Sequence, residues 1–78
     1  MKAVDYDTRQ FYRRMGVIVR DARVAHGMSQ ADLATHMGLT ANAIQFWEAG
    51  LRRPSADAIP DLCLVLKLTP QRLLGMDR

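Results

Sequence analysis

SQADLATHMGLTANAIQFWEAG, residues 29–50, decides how this chain folds. It reads as two short helical patterns parted by Gly38. Each opens on a hydroxyl residue, Ser29 and Thr40, the residue types that cap helix N-termini by accepting a hydrogen bond from the first turn. Asp32 falls in the first turn of the first pattern, where a negative charge favours the helix dipole. Leu33, Ala34 and Met37 form its apolar stripe. Ile44 and Trp47 form the stripe of the second pattern, and Gly50 ends it. With its stripe facing inward, the second helix turns Asn42, Gln45 and Phe46 outward.

The flanking sequence divides in the same way. Gly27, Gly38, Gly50 and Gly75 read as helix stops, and Pro54, Pro60 and Pro70 mark further boundaries. Upstream, Asp7 followed by Gln10 has the form of a helix start. Phe11, Met15, Val19 and Ala22 then recur at helical spacing, predicting a helix from about Thr8 to His26. Downstream, Ile59, Leu62, Cys63 and Leu66 follow an i, i+3, i+4, i+7 pattern. Pro60 disfavours the helical region at Ile59, so a distorted or delayed start is expected between Ser55 and Asp61. TPQRLLG, residues 69–75, offers Thr69 as a cap and Pro70 at the first helical position. No segment alternates with period two for long enough to form a sheet. The expectation is an all-α domain of five helices.

Composition narrows the possible functions. The 78 residues support one small domain with a modest core. The net charge is +3, and nine of the eleven cationic residues are Arg, the better bidentate donor to phosphate and base edges. Cys63 is the only cysteine, so no intrachain disulfide forms and a reducing, cytoplasmic setting is expected. The longest apolar run, Leu62–Leu66, is too short to span a membrane. The carboxylates are dispersed, and no nucleophile is placed beside a histidine, so no enzyme chemistry is expected. His26, His36 and Cys63 have no zinc spacing. Neither a metal nor any other cofactor is expected.

A helix, a tight turn and a second helix whose outer face is free form a helix-turn-helix pattern. In that motif the second helix enters the DNA major groove, where base edges present a distinguishable hydrogen-bond code. VRDARVAHGMSQADLATHMGLTANAIQFWEAGLRRPS, residues 19–55, also resembles the Cro and phage-repressor (XRE-like) family of helix-turn-helix domains. Arg23, Ser29-Gln30, Leu33-Ala34, Gly38, Ile44, Trp47-Glu48, Gly50, Arg52 and Pro54-Ser55 carry the likeness in register. The resemblance covers roughly Met15 to Gly75. It implies a lambda-repressor-like fold that binds double-stranded DNA, usually as a homodimer, and regulates transcription. On this reading residues 1–14 extend the first helix, residues 15–75 form the DNA-binding domain and residues 76–78 are a tail.

The resemblance also distributes roles. Thr40, Ala41, Asn42, Ala43 and Phe46 fall at outward reading positions, with Gln45 placed to reach a phosphate or a base edge. Gln30 would contact phosphate or brace the reading helix. Arg52 falls where the family contacts the DNA backbone, and Arg53 follows it. Arg23 and Glu48 are assigned an internal ion pair. Asn42 is the clearest base reader, because its amide can pair bidentately with adenine. Ala41, Ala43 and Phe46 make polar readout thin; they suit thymine methyls or, alternatively, a protein partner. The arginines of the first helix read as a solvated face. Leu64, Val65, Leu68, Leu74 and Met76 lie outside the main stripes and form a candidate dimer surface.

The expected function is a repressor bound to an inverted-repeat operator. The alternative is a protein-interaction module that keeps the fold and has little DNA affinity. Phage repressor, autoregulating antitoxin and restriction-modification controller remain open as contexts.

Overall fold

The computed structural model describes the backbone of residues 3–76 and the side chains of residues 8–76. Its elements are five helices: α1 (Ala3–Ala25), α2 (Gln30–Met37), α3 (Ala41–Glu48), α4 (Ala58–Leu66) and α5 (Pro70–Leu73). No strand occurs among the described residues. At about 1.5 Å per residue, α1 is roughly 34 Å long. It sets the long dimension of a particle measuring 40 × 28 × 20 Å.

α1 begins earlier than the Asp7–Gln10 signal predicts, and Asp7 lies inside the helix. No glycine or proline stands between Ala3 and Arg14 to interrupt it. Propagating an existing helix backwards costs far less than nucleating one. Gly16 falls inside the same helix. It is buried in the middle of α1, where a Cβ would collide with the carbonyl oxygens of Trp47 and Glu48. A mid-helix glycine costs about 1 kcal/mol relative to alanine. Here it lets the C-terminal end of α3 lie against the α1 backbone.

α2 and α3 start where their hydroxyl residues indicate. Ser29 Oγ accepts from Asp32 N–H at 2.9 Å while Asp32 Oδ2 accepts from Ser29 N–H at 3.0 Å, a reciprocal capping box. Thr40 Oγ1 accepts from Ala43 N–H at 3.3 Å. Gly38, at φ 69°, turns the chain between them, and Leu39 N–H returns to the Ala34 carbonyl. The turn is short because one left-handed residue satisfies the end of α2 and leads directly into the cap of α3.

α4 starts at Ala58. Two tight turns lead into it, Ala58 N–H to Ser55 and Ile59 N–H to Ala56. Pro60 is therefore the third helical residue, at a position with no intrahelical N–H bond to lose. Lys67, at φ 55°, ends this helix in the left-handed conformation that the other stops give to glycine.

The core comprises Met15, Val19, Leu33, Ala34, Ile44, Trp47, Ala58, Leu62, Leu66 and Leu73. All five helices contribute to it. Full burial of each large aliphatic side chain contributes about 1.5–3 kcal/mol. α3 packs against both α1 and α2, so its orientation is set from two sides.

Candidate nucleic-acid interface

The stripe of α3 divides eight residues between two tasks. Ile44 and Trp47 are buried. Ala41, Asn42, Gln45 and Phe46 are exposed, and Ala43 is half-buried at the edge of the stripe. Thr40 is exposed at the N-terminus, and its hydroxyl already serves as the cap. The first turn of α3 carries no acidic residue, so its positive dipole end is open to an approaching anion.

Glu48 holds this helix in place. Its Oε2 accepts from Arg23 Nε at 2.6 Å, and its Oε1 accepts from Arg23 Nη2 at 2.9 Å and from Gln30 Nε2 at 3.1 Å. Arg23 Nη1 donates to the Met28 carbonyl at 2.8 Å. Arg23 and Glu48, the residues to which the resemblance assigns an ion pair, are only 11% and 5% exposed. The hydrogen bonds it donates to Glu48 hold the Arg23 guanidinium more firmly than usual in its charged form, against the opposing pull of partial burial. The fork geometry leaves few polar atoms of the pair unsatisfied, which is the condition for burying charge without a large penalty. α1, the α1–α2 turn, α2 and α3 thus meet at one carboxylate. Gln30 braces α3 through this contact.

The loop after α3 places the cationic residues. Leu51 N–H and Arg52 N–H both return to the Phe46 carbonyl, at 3.0 and 3.3 Å. The chain therefore doubles back, and the Arg52 guanidinium comes to lie 5.3 Å from the Phe46 ring centroid. Arg53 points towards α1 and stacks over Tyr12 at 5.7 Å. Cation–π contacts of this kind hold a long side chain near one position. The Arg52–Phe46 contact joins two sequence-predicted positions. Arg53 and Tyr12 are 41 positions apart, and no local spacing points to their meeting.

The remaining candidates lie elsewhere. Leu64 and Met76 are 77% and 64% exposed at the α4–α5 end, whereas Val65, Leu68 and Leu74 are half-buried against the chain's own core. Leu74 lines an apolar groove with Phe11, Tyr12, Met15 and Ile59, so part of its surface is used within the monomer. His26 Nε2 donates to the Leu66 carbonyl at 2.9 Å, tying the end of α1 to the end of α4. Cys63 packs at the core margin, and burial pushes its thiol up. Among the described residues, no helix is long and apolar enough to cross a membrane.

Comparison with known proteins bears directly on this arrangement. A helix-turn-helix family matches residues 19–73, which include α2, α3, α4 and α5. The chain belongs to this family, of the XRE type. As a member, it is a DNA-binding transcriptional regulator. Its structure is similar to that of the restriction-modification controller protein C.AhdI from Aeromonas hydrophila, with a TM-score of 0.78 and 31% sequence identity. The alignment covers 86% of this chain and 97% of that one. No curated protein matched the sequence.

Proposed function

We propose that this regulator acts as a homodimer on a short inverted-repeat operator, in the manner of a transcriptional controller. The observation that carries this reading is the position of α3. One face is fixed by Ile44, Trp47 and the Glu48 hub, while Asn42 and Gln45 project from the other beside Arg52. Asn42 reads a base edge, Gln45 reaches a base or phosphate, and Ala41, Ala43 and Phe46 contact thymine methyls. Thr40, Arg52 and Arg53 hold the backbone, which fixes register and carries no sequence information itself. The likeness to a restriction-modification controller favours that context over phage repressor or antitoxin.

Leu64 and Met76 form the centre of the dimer contact, with Val65, Leu68 and Leu74 at its margin. A twofold arrangement presents two copies of α3 to successive major grooves. It predicts half-site centres one helical turn apart, roughly 34 Å. Selection of duplexes from a random pool tests this directly. Enrichment of an inverted repeat with that spacing is expected; enrichment of single asymmetric sites rejects the dimer model. Sedimentation gives a second check. A species that stays monomeric at micromolar concentration, with and without operator DNA, removes the proposed interface.

The apolar character of Phe46 and Leu39, 38% and 42% exposed, supports a second reading as a protein-contact face. No preference between operator and scrambled duplex, together with no affinity at low salt, would favour it.

A further inference from the structure

Arg52 and Arg53 border a cleft of about 470 Å³ between the N-terminal half of α1 and the loop after α3. Thr8, Arg9, Tyr12, Leu51, Arg52 and Arg53 line it. Three arginines thus line one space, and no described carboxylate lines it. Arg9, Arg52 and Arg53 make no ion pair among the described residues. This contrasts with Arg23, whose charge is fully answered by Glu48. Like charges lining a concave surface raise the local potential and attract an anion.

Two of the three arginines are also held in place. Tyr12 holds the Arg53 head group and Phe46 holds that of Arg52, so less side-chain freedom is lost when an anion arrives. The planar guanidinium fork matches the two free oxygens of a phosphodiester. Phe46 belongs to the outward face of α3, so Arg52 links the reading helix to the cleft without a break. Arg53 and Arg9 therefore lie next to Arg52 along the surface that leads away from α3.

We propose that this cleft seats a backbone phosphate of the operator, with Arg9 of α1 and Arg53 as its donors. The N-terminal half of α1 is then part of the DNA interface. The inference rests on the DNA-binding reading above and adds to it Arg9 of α1, which shares with Arg53 a phosphate next to that of Arg52.

The test combines salt-dependent binding with phosphate-ethylation interference on the selected operator. Wild type, Arg9→Ala, Arg53→Ala and Arg20→Ala are compared. Arg20 is exposed on α1 outside the cleft and controls for the loss of one positive charge. Arg9→Ala should reduce the slope of log K against log salt by about 0.9 per chain. That corresponds to about a three- to fourfold weaker dependence between 50 and 200 mM salt for each lost contact. It should also abolish interference at one phosphate per half-site, leaving base preference and thermal midpoint unchanged. Arg53→Ala should remove interference at the same phosphate. An Arg9→Ala slope equal to that of wild type or of Arg20→Ala overturns the proposal while DNA binding stands. Failure of the wild type to bind any duplex overturns both. Saturable binding of inorganic phosphate in the micromolar range, indifferent to added duplex, would assign the cleft to a free anion and also overturn it.

Discussion

α2 and α3 each have eight residues and a hydroxyl cap, yet their polar groups are used in opposite ways. α2 is closed on itself. Ser29 and Asp32 cap it reciprocally, Thr35 donates to the Ala31 carbonyl, and Gln30 donates to Glu48. α3 has one cap bond and no acidic residue in its first turn, and its outward side chains Asn42 and Gln45 make no hydrogen bond to the described residues. The difference fits α2 as scaffold and α3 as the helix proposed to be completed by a partner. A helix whose polar groups are satisfied internally gains stability from them. One whose donors point outward holds them for the ligand.

Breaking the joint between the two helices should have the largest effect. Replacing either Arg23 or Glu48 by alanine leaves the other charge buried and unpaired, at a cost of about 3–5 kcal/mol of stability. Urea unfolding measures this. A loss below about 1 kcal/mol would mean that the pair does not anchor α3. Operator affinity should fall as well, because the Arg23–Glu48 bond then no longer sets the angle of α3 against α1.

Asn42→Ala separates reading from holding. It should cost about 1–3 kcal/mol on the preferred operator and relax selectivity at one base pair per half-site. Its thermal midpoint should match that of wild type, since Asn42 is exposed and outside the core. Equal losses on specific and scrambled duplexes would remove Asn42 as a reader.

The caps sharpen the same contrast. Ser29→Ala should destabilise by about 1 kcal/mol. Thr40→Ala should cost less stability, because its cap bond is 3.3 Å rather than 2.9 Å, but more DNA affinity. Melting curves and titrations of both variants give the two orderings, and a reversal of either breaks the scaffold-and-reader division.

The smallest expected effect is in acid. Hydrogen bonds from the Ser29 backbone and then from its side chain hold the Asp32 carboxyl below the usual carboxylate range. A depressed native pKa means that the contribution is complete above the unfolded value of about 3.9. It is lost as pH falls through the lower, folded value. Between these limits, unfolding of wild type should steepen with acid in a way that Asp32→Asn abolishes. Identical pH profiles for the two proteins would exclude the capping box as a source of acid sensitivity.

Much of this architecture was legible locally. Ser29, Thr40 and Thr69 announce helix starts because a cap acts within three residues, and Gly38 and Gly50 announce ends for the same reason. Ile44 and Trp47 announce the buried face of α3 through spacing alone. The start of α1 was misread because the Asp7–Gln10 signal is local, whereas the helix continues through it as far as Ala3. The stop of α4 at Lys67 lacks the usual residue type. The reason for a glycine at position 16, inside the predicted first helix, emerges only when the backbone of α3 is seen against it. At the interface, the resemblance supplied Arg23, Glu48 and the outward α3 positions. The Arg53–Tyr12 contact and the cleft with Arg9 depend on where a distant loop meets α1, and no short-range pattern encodes that meeting.

The separation of tasks along α3 also bears on how such a protein diverges. Ile44 and Trp47 hold the fold and Glu48 holds the angle, so under the proposed reading drift at Ala41, Asn42 and Gln45 would alter the operator address at little cost in stability. After gene duplication, a few substitutions at these positions suffice to give the two copies separate targets. Purifying selection on folding is nearly blind to those changes. The lineage can therefore explore new binding sequences without first acquiring a stabilising mutation elsewhere.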